Sequence, residues 1–391
     1  MALGALIGAY QEDDSGALRA LLPLAGRTVV EYQVRCAAAA GAAPIVVIVE
    51  RSPPALNEAL ERVRGDGIAV AAVGADEAAA RFESHALILL LGDGVVTPVD
   101  LLLRLAEEPE PAVATVPDDA AHAAFERVDA ASRWAGVALV EGRTLGSTIA
   151  MLGDWDLQST LLRSALQAGA LHIPASPDAE PLIAEAPGQL AAFERGLVNA
   201  SRGQRHDFAA RYLLPWVEDF ATERLMDSSV QPVWLLWGSV ALTLAAALAF
   251  LNGLPWPGLG LLVLATPLDL VAIRLAKLRL RPIAPAALAC RSLWPAVGLA
   301  LLTLAWRLWG DGAGWGPFAA AAGALAFAEA GRIERRGRDV PGRLWLFSRR
   351  NAVLAAVPLA LIAGWSGTTI ALALYAAGSF FFVQQVRHAS D

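Results

Sequence analysis

Between residues 231 and 386 the chain carries six long apolar runs, and a water-soluble core does not absorb so much apolar sequence in one block. The runs are 233–251, 257–273, 293–308, 317–330, 352–365 and 368–386. Several fall short of the ~20 residues that span a bilayer, but small residues let neighbouring segments complete one another. Six spans are therefore expected. The connection 274–291 carries five basic residues and 331–350 carries seven, whereas 252–256 and 366–367 carry none. By the positive-inside rule this asymmetry predicts a multi-pass protein of the cytoplasmic (inner) membrane with both termini cytoplasmic. The fourth run, rich in alanine and glycine, is expected inside the bundle rather than against lipid.

The chain is 56% hydrophobic over 391 residues, and the surplus lies almost wholly beyond residue 230. The first half reads as globular. Cys36 and Cys290 fall on opposite sides of that boundary, so they imply neither a disulfide framework nor a metal knuckle. Glu12, Asp13 and Asp14 arrive early and no basic segment leads into an apolar core, so no secretory signal is expected. The net charge of −7, with arginines crowded between the apolar runs, excludes nucleic acid as the natural partner. The chain has a single lysine, Lys277.

In the first half, continuous apolar runs at 3–7, 45–49, 68–73, 87–91 and 112–116 read as buried strands. Helical patterns lie between them at 28–40, 56–63 and 99–106. Such alternation predicts an α/β domain whose largely parallel sheet is covered on both faces, with ligands at the carboxyl ends of its strands. The expected organisation is an α/β domain over 1–197, a linker and amphipathic helix over 198–229, and the six-span membrane domain over 230–391. Within 206–226, Phe208, Tyr212, Trp216 and Phe220 recur every four residues among mixed charges, around Pro215. This reads as a helix lying at a bilayer surface, with an ordinary domain-closing helix as the alternative.

In the second apolar run, Asp269 opens the spacing D-x2-D-G-x2-A-R-x8-G-x3-D-x3-D. On that spacing Ala272 and Ile273 take the second Asp and the first Gly, and Ala276 and Lys277 take the Ala-Arg pair. Ala286, Cys290 and Trp294 follow at the second Gly and the last two Asp positions. Together with six spans and a preceding interfacial helix, the register resembles the CDP-alcohol phosphatidyltransferases. The resemblance implies a site where aspartates hold divalent metal on the CDP pyrophosphate. Here only Asp269 and Ala276 match, and one carboxylate beside an alanine, a thiol and an indole does not make a two-metal site. Asp269 is expected to be ion-paired, with Arg274 and Lys277 as its nearest cations in sequence. Arg349 and Arg350, before Asn351, read either as a headgroup clamp or as an interfacial anchor, with the anchor favoured.

In the first half, Leu22-Pro23-Leu24-Ala25-Gly26-Arg27 and then Glu31-Tyr32-Gln33 resemble the opening of the sugar-phosphate nucleotidyltransferases. The family's glycine-rich loop corresponds to Gly8-Ala9-Tyr10-Gln11-Glu12-Asp13-Asp14, whose carboxylates stand where amides and an arginine would cradle phosphates. Arg19 replaces the family lysine and is the candidate for nucleotide phosphate. Leu91-Gly92-Asp93 matches the family's strand-end Gly-Asp, which makes Asp93 the candidate Mg2+ ligand and catalytic residue; Asp269 is the candidate metal ligand of the membrane half. Asp154-Trp155-Asp156 reads as a helix cap or as a second ligand, with the cap favoured. Segments 126–129 and 133–136 correspond to the part that faces the phosphorylated alcohol. The five histidines show no metal-ligand spacing and no hydroxyl sits in a nucleophile elbow.

Together the two halves resemble the bifunctional enzymes that make CDP-inositol and then inositol-type lipids. The resemblance implies a membrane protein of polar-lipid synthesis with eroded sites, in a regulatory or scaffold role, as a homodimer or beside an active paralogue. The alternative is an active Mg2+-dependent nucleotidyltransferase that uses CTP to make a CDP-alcohol beside an inactive second half.

Overall fold

The computed structural model describes residues 2–13, 15–151, 156–176, 180–203, 205–226, 228, 230–280, 288–335 and 340–390. The chain forms two compact units, Met1–Asn199 and Ala200–Asp391.

Unit one is built on seven strands: β1 (Leu3–Gly8), β2 (Ile45–Ile48), β3 (Val70–Val73), β4 (Leu87–Leu91), β5 (Ala112–Pro117), β6 (Ser132–Glu141) and β7 (Leu171–Pro174). Its helices include α1 (Val29–Ala39), α2 (Pro54–Gly65), α3 (Val99–Ala106), α4 (Gly142–Ala150) and α5 (Leu157–Gln167). The sheet order is β7-β5-β6-β4-β1-β2-β3. β1 is parallel to both β2 and β4, while β6 runs antiparallel to β4 and β5. The five strands expected from apolar runs are present. β6 and the edge strand β7 were not expected, and β6 makes the sheet mixed rather than wholly parallel. Leu87–Leu91 is buried at every position, as a strand covered on both faces requires.

Local signals set the helix starts. Thr28 and Glu31 form a reciprocal capping box at α1: the Glu31 amide donates to Thr28 Oγ1 and the Thr28 amide to Glu31 Oε2 at 3.0 Å. Glu31 is fully buried, and Arg62 of α2 donates to it at 3.0 and 3.1 Å, so this cap also ties two helices together.

β2 and β3 lie on one side of β1, and the chain then crosses to place β4 on the other. Loops after β1 and β4 therefore diverge, and the crevice between their carboxyl ends is where an open α/β sheet offers a ligand site.

Unit two is helical. Among the described residues, four helices are long and apolar enough to cross a membrane: Pro232–Leu251, Pro255–Leu278, Leu288–Ala313 and Arg349–His388. The helices used below are α6 (Pro215–Met226), α7 (Pro232–Leu251), α8 (Pro255–Ala265), α9 (Leu268–Leu278), α10 (Leu288–Leu308), α11 (Gly316–Glu334) and α12 (Arg349–Ser390). The last is not straight, because Gly364 sits at φ +66° and ψ −177° inside it. In a straight helix residues 349 and 375 would stand roughly 39 Å apart. Yet the Phe347 amide donates to Ser379 Oγ at 2.9 Å and Tyr375 Oη to the Trp345 carbonyl at 2.9 Å. The chain therefore folds back at Gly364. α11 buries a stripe of Pro317, Ala321, Ala324, Ala328 and Gly331. Ala322 and Ala326 point outward, so the fourth run is enclosed on one face only, contrary to expectation.

The segment 206–226 is two helical pieces rather than one, a π-helical turn Ala209–Leu213 followed by α6. Its polarity is inverted for a helix in water: Trp216 and Phe220 are 73% and 72% exposed, while Glu218 and Thr222 are 2% and 1% exposed.

Candidate functional site

Asp93 stands directly after β4, at the crevice beside β1. The chain leaves it through Gly94, whose φ of +68° suits glycine, and a Cβ there would come 3.0 Å from the Ala184 carbonyl and 3.3 Å from Arg19 Cβ. Asp93 is 4% exposed. Its Oδ2 accepts from the amides of Tyr10 at 2.5 Å and Gln11 at 2.6 Å, the first residues of the loop after β1. Oδ1 is buried without a hydrogen-bond partner among the described residues. Burial raises the Asp93 carboxyl above the ordinary carboxylate range, against the two amides and the nearby Arg19 charge, which favour ionisation.

Gln158, in the first turn of α5, completes the arrangement by accepting from the Asp93 amide at 3.1 Å and donating to the Leu91 carbonyl at 3.2 Å. It fits only because Gly8 ends β1: a Cβ there would lie 2.1 Å from Gln158 Nε2. Asp156 caps α5, its Oδ2 accepting from the Ser159 amide at 2.8 Å, while its Oδ1 accepts from Tyr10 Oη at 2.7 Å. Burial first, and the Asp156 charge second, push the Tyr10 hydroxyl far above its usual range, so it remains a proton donor. Asp156→Ala is expected to cost about 1 kcal/mol through the lost cap. The measurement is the denaturant midpoint of the full chain, and an unchanged midpoint removes the capping role. Asp154 and Trp155 lie outside the described residues.

The structure brings the sequence candidates Arg19 and Asp93 together. Arg19 is committed to its own loop, however: Nε donates to the Glu12 carbonyl at 3.1 Å, Nη1 to Gln11 Oε1 at 3.2 Å, and Nη2 lies 4.0 Å from Glu185 Oε1. The acidic loop is likewise closed on itself. Asp13 Oδ1 accepts from the Ser15 and Ala17 amides at 2.9 and 3.0 Å, and Glu12 pairs with Arg51 at 2.5 Å. Asp14 is outside the described residues. The Tyr10 and Gln11 amides, which would face a phosphate in an open loop, already face a carboxylate. Asp156 reads from sequence as a cap or a second metal ligand, whereas nothing in the spacing of Tyr10 and Gln158 marks contacts across 65 to 146 residues. In segments 126–129 and 133–136 both arginines are taken up by Asp118, Arg133 at 2.5 Å and largely buried, Arg127 from the exposed surface, and Trp134 is in the core.

In unit two, Asp269 lies in the first turn of α9, just after Pro267, and is 5% exposed. It is ion-paired, but not with its sequence neighbours. Arg349 and Arg350 reach its Oδ2 at 2.5 and 2.6 Å, and Arg350 also donates to Asp207 Oδ2 at 2.7 Å. The adjacent Asn351 accepts from the Ala209 amide at 2.9 Å and donates to the Leu344 and Leu346 carbonyls at 2.9 and 3.1 Å. Arg349 and Arg350 thus turn inward onto Asp269 and Asp207, with side chains 13% and 19% exposed. Arg274 instead binds Glu218 and Asp219 of α6 at 3.4 and 2.5 Å, and Lys277 Nζ lies against Gly203, 2.4 Å from where a Cβ would stand.

Two of the other motif positions gather near Asp269 as apolar packing. Ala272 is buried in a cluster with Leu236, Val240, Ala289 and Leu293, against which Cys290 packs, and Cys290 is close enough to feel the Asp269 charge. Trp294 packs with Ala324, Phe347 and Leu372. Ala286 is outside the described residues. Mg2+ requires about six oxygens in near-octahedral array. At Asp269 two guanidiniums occupy the carboxylate, and at Asp93 one oxygen is left; neither donor set fits the ion as it stands. Among the described residues no group of three or more His, Cys, Asp or Glu side chains could hold a metal.

No known protein family matches the chain, and no curated protein matches it.

Proposed function

We propose that this is a multi-pass protein of the cytoplasmic (inner) membrane that serves polar-lipid synthesis in a regulatory or scaffold role. On this reading it is a degenerate relative of the bifunctional nucleotidyltransferase and CDP-alcohol phosphatidyltransferase enzymes. The observation that carries it is Asp269: its carboxylate is held by Arg349 and Arg350, and the Ala272 and Cys290 positions of the four-aspartate spacing belong to apolar packing. Both guanidiniums converge on Oδ2 and Arg350 Nε reaches Oδ1 at 3.5 Å, so the carboxylate is committed to an ion pair rather than open to a metal.

The six-span reading is supported by the fold-back at Gly364, which divides the last apolar helix, and by α11 packed beside both of its halves. The inverted polarity of α6, aromatic outward and acidic inward, supports a bilayer surface against that face. The basic connections support a cytoplasmic side for both termini. A homodimer, or an active paralogue, is the partner this role calls for.

The second reading, an active nucleotidyltransferase in unit one, rests on Asp93 Oδ1, a buried carboxylate oxygen without a partner at the ligand crevice. The test is turnover of CTP and CDP-alcohol by the detergent-solubilised full chain with Mg2+, beside Asp93→Ala. No turnover from folded protein is the expected result. Turnover abolished in the Asp93→Ala protein would overturn the scaffold reading and establish the second.

A further inference from the structure

Consecutive helices α10 and α11 leave a groove of about 710 Å³ between them, within the ~300–1,000 Å³ of sites that hold small molecules. Two residues shape it. Pro295 has no N–H to donate to the carbonyl of Arg291, four residues back inside α10. Gly298 faces Leu325 of α11, and with no side chain there it leaves the groove open between them. Along its length the groove is apolar, walled by Trp294, Leu299, Leu302 and Leu325. Leu299 is 48% exposed, on a helix apolar enough to cross a membrane.

At one end the lining changes to Arg291, Glu329 and Arg332. Arg332 makes a two-point pair with Glu329 at 2.6 and 2.9 Å. Arg291 makes no hydrogen bond or ion pair among the described residues. Among the described residues that line the mouth, two guanidiniums against one carboxylate leave a net positive charge. A cationic mouth above a hydrocarbon-walled channel complements an amphiphile with an anionic head and an acyl tail. Guanidinium is also the side chain best matched to a phosphate.

We infer that the α10–α11 groove binds one anionic phospholipid, its phosphate on Arg291 with Arg332 alongside and an acyl chain against Leu299 and Leu302. This site is separate from the Asp269 network and does not depend on whether either half of the chain is catalytic. It ties occupancy of the bundle to the anionic-lipid content of the membrane.

The test is native mass spectrometry of the full chain in detergent, titrated with phosphatidylglycerol and phosphatidylcholine of matched acyl chains. Phosphatidylglycerol is expected to bind about tenfold more tightly, because it carries a net negative charge that choline cancels in phosphatidylcholine, although both present a phosphate. The double variant Arg291→Gln, Arg332→Gln should bring the two lipids to parity, and Arg291→Lys should keep most of the preference, which separates lost charge from lost fold. Leu299→Trp, which fills the channel and keeps both charges, should weaken both lipids. Equal binding of the two lipids by the unaltered chain would overturn the inference. So would undiminished phosphatidylglycerol binding by the double variant, or a Leu302→Cys protein that cross-links to a second copy with lipid occupancy unchanged.

Discussion

Asp269→Ala is expected to destabilise the helical unit by about 3–5 kcal/mol, the cost of leaving buried charge uncompensated. The carboxylate lies between Arg349 and Arg350, with side chains 13% and 19% exposed, so its removal places two guanidiniums side by side with Asp207 as their remaining anion. The readout is the temperature at which the detergent-solubilised chain loses its monodisperse form. A combined Asp207→Asn, Asp269→Leu, Arg349→Leu, Arg350→Met variant should recover most of the loss, because it removes every charge of the network together and matched replacement of a buried ionic group is often neutral. Asp207→Asn keeps an acceptor for the Ala210 amide, which donates to Asp207 Oδ1 at 2.8 Å. A metal-ligand role predicts the reverse order: Asp269→Ala would leave the metal-free protein as stable as before, and that result would sink the ion-pair reading.

Asp93→Ala is expected to cost about 1–3 kcal/mol for each of the two amides it strands. The two amides belong to Tyr10 and Gln11, so the loop after β1 should loosen first, seen as faster hydrogen exchange at those two positions. Asp93→Asn keeps an uncharged acceptor and separates geometry from charge. Because burial raises the folded-state pKa of Asp93, the native state holds that proton more tightly than the unfolded chain. Its contribution to stability is then greatest below the unfolded carboxylate pKa of about 4 and declines as pH rises through the raised folded value. Asp93→Asn should abolish that decline, so its stability relative to the unaltered chain should climb from about pH 4 upward and then level. Asp118 works in the opposite direction, since Arg133 first and Arg127 also hold its carboxyl below the usual range. Its contribution is present above the unfolded pKa and is lost as pH falls through the lowered folded value, so the two windows do not overlap. Denaturant midpoints across the pH series check both; a pH-independent difference between Asp93→Asn and the unaltered chain would rule out a charge effect at Asp93.

Five strands were legible as continuous apolar runs because a strand covered on both faces must be apolar at every position, as Leu87–Leu91 is. β6 was missed because its first half, Ser132–Gly136, carries the arginine and tryptophan that local reading assigns to a surface. Arg133 is in fact neutralised by Asp118 and by the Ala123 and Phe125 carbonyls at 3.0 and 2.7 Å. Asp269 was legible as a charge that needed a partner in an apolar run, but its partners were not. Spacing along α9 pointed to Arg274 and Lys277, and the helix turns those outward from Asp269 while folding Arg349 and Arg350 across from 80 residues away.

Hydropathy and charge order along the chain were enough to establish a mostly apolar second half and an α/β first half, because burial in lipid or in a two-faced sheet acts on residues one by one. They also showed Ala272, Cys290 and Trp294 at the three positions where the spacing from Asp269 calls for further aspartates. Which groups those carboxylates meet was decided only in three dimensions. An ionised oxygen takes the strongest donor within about 3 Å, and which donor comes that near depends on the crossing from β1 to β4 and on the packing of α9 against α12. For Asp93 the donors were two amides of its own crevice, and for Asp269 two arginines.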